Sequence, residues 1–177
     1  MCSSDLLNDF APTADTVKAD YALVTSQSDL DALVESLRAA GGFAFRVIPD
    51  HPSAMRAGII GIAFSTGDRQ ARYLPLGHAS ADQSNDLLSS AVGPDQLPAR
   101  AALAQLKPLF QDAGVAKAGH DLKFDAIVLS RHGIDLRGYA FDSMLASYVL
   151  NATRPGHLLE ALSLEHLGRS EEHTSEL

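Results

Sequence analysis

Three short segments hold the residues whose types and spacing bear on chemistry. Ala118-Gly119-His120-Asp121-Leu122-Lys123-Phe124-Asp125 places an imidazole, a lysine and two carboxylates within one stretch. Tyr139-Ala140-Phe141-Asp142-Ser143-Met144-Leu145-Ala146-Ser147-Tyr148 carries Asp142 just ahead of an apolar run, and Phe43-Ala44-Phe45-Arg46-Val47-Ile48-Pro49 is apolar apart from Arg46. Carboxylates are the hard oxygen donors that magnesium and manganese take, so the chemistry open to these segments is carboxylate chemistry. Asp142, immediately before Ser143-Met144-Leu145, has the placement of a helix N-cap. Lys123 is a candidate phosphate contact, set against the usual solvated helix lysine. Other chemistries are poorly served. The histidines form no i, i+4 pair with a matching acid, which disfavours zinc, and Gly58, Gly61 and Gly67 lack the spacing of a phosphate-cradling loop.

The elements that must position these residues can be read from periodicity. Tyr21–Val24 reads as a short strand. Ser28-Asp29-Leu30-Asp31 reads as a capping box opening a helix, with Leu30, Leu33, Val34 and Leu37 on one face and Gly41-Gly42 at its end. Phe43–Ile48, Ala57–Ser65 and Ala71–Leu76 read as strands, the last two joined by a turn at Thr66-Gly67-Asp68. A helix is expected over Pro98–Asp112, with Pro108 bending or breaking its last turn. A short strand Val115–Gly119, a helix Asp121–His132, a strand within Ile134–Phe141 and helices Ser143–Leu150 and His157–Leu167 follow. Antiparallel strands first, then strands alternating with helices, indicate a mixed α/β sheet. His51, His78 and His132 read as surface or turn residues. Asp50 lies two positions past Ile48, but Pro49 and Pro52 argue that the strand does not carry it onto the same face.

The two ends are expected to be foreign to this fold. Met1–Leu6 and Arg169–Leu177 can be back-translated into strings that resemble one short-read sequencing adapter in opposite orientations. Residues 7–20, polar and without period, read as an inter-domain linker, and the domain is expected over 21–168. Setting aside Asp5, Glu171, Glu172, Glu176 and Arg169 leaves 18 acidic and 13 basic residues, a net charge of −5 against −8 for the whole chain. Cys2, the single cysteine, falls in the first of these ends, so neither a disulfide framework nor a thiolate metal site is expected. No apolar run has the roughly 18 residues that a membrane span needs. A mildly acidic domain does not advertise nucleic-acid binding through bulk charge.

The segments Ala118–Asp125 and Tyr139–Tyr148 resemble the 3'–5' proofreading exonuclease domain of bacterial DNA polymerase I, and Met55-Arg56-Ala57 before the second core strand fits the same register. The resemblance covers about Tyr21 to Gly168. It implies a ribonuclease H-like fold, truncated at its C-terminal side, in which the Lys-aromatic-Asp helix supplies a metal-binding carboxylate at Asp125. In that register Phe43–Pro49 falls on the family's Phe-x-x-Asp-Thr-Glu-Thr strand, so Arg46 stands for the catalytic Asp and Ile48 for the catalytic Glu. A fourth carboxylate, on a Tyr-x-x-x-Asp helix, would lie beyond Gly168. His120 occupies a position where the family often has Gln or another polar residue, which makes it a candidate nucleic-acid contact or a loop-end polar residue.

What the resemblance implies about chemistry follows from these substitutions. A two-metal exonuclease holds two divalent ions about 4 Å apart, one activating water and one stabilising the leaving oxygen. Replacing two of four carboxylates by Arg46 and Ile48 takes the local charge from about −4 to about −1, and each unit pair near 4 Å is worth on the order of 4 kcal/mol at an effective dielectric of 20. The expectation is a domain with no tightly bound metal, Asp125 left as a vestigial ligand, and Arg46 turned into the vacated space to pair with it. Mg2+ or Mn2+ would then serve only the parent polymerase. The resemblance implies DNA as a partner through that parent, an intramolecular polymerase domain packed on this one, and a cytoplasmic setting without a membrane. The alternatives are a working exonuclease with one metal or displaced acids, and a stand-alone nucleic-acid or protein-binding module.

Overall fold

The computed structural model describes residues 19–78 and 96–167. The foreign ends expected at 1–6 and 169–177, and nearly all of the linker expected at 7–20, lie outside them. The strands β1 (Asp20–Leu23), β2 (Gly42–Pro49), β3 (Ile59–Gly67), β4 (Gln70–Pro75), β5 (Ala116–Gly119) and β6 (Tyr139–Asp142) form one sheet in the order β1-β4-β3-β2-β5-β6. β2, β3 and β4 make the antiparallel meander, β5 and β6 add to it in parallel, and β1 pairs in parallel with β4 at the far edge. The helices are α1 (Gln27–Ala39), α2 (Ala99–Gln111), α3 (Leu122–Arg131), α4 (Ser143–Leu150) and α5 (Leu159–Leu167).

Strand β2 sorts its side chains by parity, as a pleated strand must. Phe43, Phe45 and Val47 are buried on one face, where Phe43, Phe45, Phe64 and Phe110 meet with ring centroids 5.0–6.1 Å apart. Phe110 belongs to α2, so α2 covers that face, together with α1 through Leu30, Leu33 and Leu37. Arg46 and Ile48 have the opposite parity and look toward α3. This alternation is what carries a charged side chain out of an otherwise apolar strand and into the site.

Three expectations need correction. The capping box of α1 sits two residues earlier than expected: Ser26 is the N-cap, its hydroxyl accepting from the Asp29 N–H and the Asp29 carboxylate accepting from the Ser26 N–H. Asp31 instead accepts from the side-chain amides of Gln27 and Gln105 and ties α1 to α2. Pro108 does not end α2, which runs on to Gln111. The ring costs one intrahelical bond, but Leu106, Leu109 and Phe110 are fully buried around it and hold the turn. The β3–β4 turn lies at Asp68-Arg69, with Arg69 at positive φ, because β3 continues through Gly67. Large apolar side chains on the C-terminal elements stay exposed, among them Leu145, Val149, Leu150 and Leu164.

Candidate functional site

The site lies where the ends of β2, β5 and β6 meet the N-termini of α3 and α4. Asp121 ends the β5–α3 connection in the left-handed region at φ 60°, an uncommon conformation that Asp tolerates better than most residues. It caps α3 by accepting from the Phe124 N–H at 3.3 Å. Gly119 makes the approach possible, since a Cβ there would stand 2.6 Å from Leu122 Cδ2 and 3.0 Å from the Phe45 carbonyl oxygen.

Asp142 does more than the single cap expected of it. Its carboxylate accepts from Met144 and Leu145 at the start of α4, and from Asp121 and Leu122 at the start of α3, at 2.7–3.2 Å. Burial pushes its pKa up, but four backbone donors outweigh that and hold it below the usual carboxylate range. Asp142→Ala removes caps from two helices and is expected to cost roughly 2 kcal/mol, about 1 kcal/mol for each. Thermal unfolding by circular dichroism checks this. Because the folded-state pKa is depressed, the Asp142 contribution is present above the unfolded pKa and fades as pH falls through the folded one.

His120 closes β5. The Ser143 hydroxyl lies 2.9 Å from His120 Nδ1 and 3.2 Å from the Gly119 carbonyl, so it bridges the ring to the end of β5. Burial, with Arg46 nearby, lowers the imidazole's pKa against the opposing carboxylates of Asp142 and Asp121 and a hydrogen bond with the His157 backbone. The Ser143 contact fastens the ring to α4. Lys123 is exposed and lines an apolar cleft between α3, β6 and α4 with Leu122, Ala126, Tyr139, Phe141 and Leu145. It stands on the α3 face turned away from Arg46.

The structure brings Arg46 and Asp125 together. Arg46 Nη1 donates to Asp125 Oδ1 at 3.2 Å and to the His120 carbonyl at 2.8 Å, and the guanidinium carbon sits 5.5 Å from the Phe124 ring centroid. The Asp125 side chain is 0% exposed and that of Arg46 38% exposed. Asp125 Oδ2 has no hydrogen-bond partner. Burial pushes the Asp125 pKa up to about 7, against the pull of Arg46 and the Val47 backbone N–H. Asp50 does not reach this place: its Oδ1 accepts from the Gly58 N–H at 2.6 Å.

A divalent cation here would meet one carboxylate, one guanidinium and the alkyl side chain of Ile48, which is no donor set for a hard ion. Among the described residues no three His, Cys, Asp or Glu side chains cluster in a way that could hold a metal. Sequence reasoning missed Lys117, fully buried on β5, whose ammonium donates to the Asp112 carbonyl just past the end of α2. Its only signal was a charge inside a strand of small residues.

A mixed sheet with this order and a strand–helix site at its central ends defines a ribonuclease H-like exonuclease fold. The sequence profile of the 3'-5' exonuclease family matches residues 21–175, a range that takes in part of 169–177. The chain belongs to the 3'-5' exonuclease domain family of DNA polymerase I. It is 36% identical over 166 residues to DNA polymerase I of Pseudomonas aeruginosa, covering 92% of this chain and 17% of that protein. Among solved structures, the POL domain of Pol1 from M. smegmatis in complex with DNA primer-template and dNTP superposes with a TM-score of 0.62 at 23% identity, over 84% of this chain and 23% of that one. The catalytic core of RRP6 from Trypanosoma brucei gives a TM-score of 0.62 at 16% identity, over 88% of this chain and 36% of that one. The chain thus spans less than a fifth of the curated relative's length. No helix among the described residues is long and apolar enough to cross a membrane.

Proposed function

We propose that this chain is the exonuclease-like domain of a DNA polymerase I in which hydrolysis has been lost, kept as a scaffold for the DNA-synthesising body. The observation that supports the reading is the Arg46–Asp125 pair: a guanidinium bonds to the carboxylate that the family resemblance makes a metal ligand. Ile48 beside it adds no oxygen donor. Magnesium or manganese would serve the polymerase body, which extends DNA in replication and repair in the bacterial cytoplasm, and not this domain.

The test is incubation of the chain with 5'-labelled single-stranded DNA and Mg2+ or Mn2+. The expected outcome is intact DNA, and a parent polymerase that leaves a mismatched 3' end in place. Metal-dependent release of mononucleotides would overturn the reading in favour of a working exonuclease with displaced ligands.

A further inference from the structure

We infer that Arg46 has turned a place for a cation into a place for an anion: the uncommitted edge of its guanidinium receives a phosphodiester of single-stranded nucleic acid without any divalent ion. This rests on the proposed reading of the domain as a nuclease fold without its metals. The pair with Asp125 is end-on. Only Nη1 takes part, at 3.2 Å, longer than the roughly 2.7–2.9 Å of a strong charge-assisted bond, and Asp125 Oδ2 is left unpartnered. A guanidinium fork that answered a carboxylate fully would use two nitrogens on two oxygens. Here Nε and Nη2 make none of the hydrogen bonds found among the described residues, and the side chain is 38% exposed.

The group is also held still. Nη1 is anchored to the His120 carbonyl, and Phe124 lies under the guanidinium carbon at 5.5 Å. A planar, fixed fork with a free edge is the arrangement that recognises phosphate oxygens. Nearby anions do not consume it. Asp142 is engaged by four backbone N–H groups and Asp121 by one, all at helix N-termini whose dipoles offset negative charge. Ile48, on the same strand face, brings no carboxylate to compete.

The experiment is fluorescence anisotropy of a labelled single-stranded oligodeoxynucleotide of roughly ten nucleotides, about one site size for a small domain. It is run on this chain in EDTA across a salt series. Arg46→Ala is expected to weaken binding about tenfold and to flatten the logarithmic salt dependence by about 0.7, the value for one phosphate contact on a single strand. Arg46→Lys, which keeps the charge but not the fork, is expected to fall between. Because Arg46→Ala leaves Asp125 without its ion pair, the double variant Arg46→Ala/Asp125→Asn is measured beside it and is expected to show the same loss. Unchanged affinity and slope in the lysine and double variants would overturn the inference, as would binding that appears only when Mn2+ is added. Displacement of the oligonucleotide by equimolar inorganic phosphate would also overturn it, since the site would then hold a free anion. Failure of the functional reading registers separately, as nucleotide release once Mn2+ is present.

Discussion

Replacing Arg46 by Asp and Ile48 by Glu together is expected to give a protein whose melting temperature rises with Mn2+, whereas the unaltered chain shows no such rise. Positions 46 and 48 lie on one face of β2, about 6.6 Å apart along the strand, and Asp125 already faces the first of them. Three carboxylates would then converge where one stands now. Without metal they repel, at up to the order of 4 kcal/mol per close pair, so the metal-free variant is expected to melt below the unaltered chain. A dication reverses the sign of each term. At a Mn2+ concentration about a hundred times the dissociation constant, binding stabilises by about 2.7 kcal/mol, which corresponds to roughly 5–10 °C for a domain of this size. Differential scanning fluorimetry with and without Mn2+ reads the effect. A rise of the same size in the unaltered chain would show that the site holds metal despite Arg46, and the argument from the substituted ligands would fall.

The second large effect is a dependence on pH that Asp125 imposes. Its folded-state pKa is about 7, raised from an ordinary 3.8 mainly by burial. A carboxyl shifted upward binds its proton more tightly when folded than when unfolded. Its contribution is therefore fully present below pH 4 and is lost as pH rises toward 7. That rise from 3.8 to about 7 corresponds to at most on the order of 4 kcal/mol. Asp125→Asn keeps the shape and removes the charge. It is expected to flatten the profile between pH 4 and 7 and to be more stable than the unaltered chain at pH 8, as measured by urea unfolding at a series of pH values. A variant less stable at pH 8 would mean that the pair with half-exposed Arg46 repays the burial of the carboxylate, which ion pairs of this kind often fail to do.

Much of the site was legible because strand parity is a strict rule. Once Phe43 and Phe45 are assigned to the core, Arg46 must leave on the other face, and an arginine entering a carboxylate pocket needs a partner. Helix α4 was likewise readable to its bounds, since Asp142-Ser143 is a strong start signal before a continuous apolar run. The failures have local causes. Ser26 and Ser28 both precede an aspartate three residues on, so the capping box could be placed at either, and packing of Leu30, Leu33 and Leu37 chose the earlier. The usual propensity of Pro108 is to end a helix, and burial of the neighbouring leucines overrides it. Lys117 left almost no trace, because its partner is a backbone carbonyl on a different element. The second half of the Asp142 role was hidden for the same reason: a sequence shows the helix that follows a cap, not one that folds back onto it from twenty residues earlier.

That shared carboxylate has a consequence for how the molecule opens. Helices α3 and α4 are separated in sequence by the whole of β6 and its approach, yet their first turns draw on one carboxylate, sharing its Oδ1 while Oδ2 takes the Leu122 N–H. Fraying of α4 at its start therefore releases the start of α3, and with it the turn that carries Asp121 and Asp125. The amides of Leu122 and Met144 then belong to one cooperative unit in hydrogen exchange, exchanging at a common opening free energy although nothing in the chain's linear order joins them.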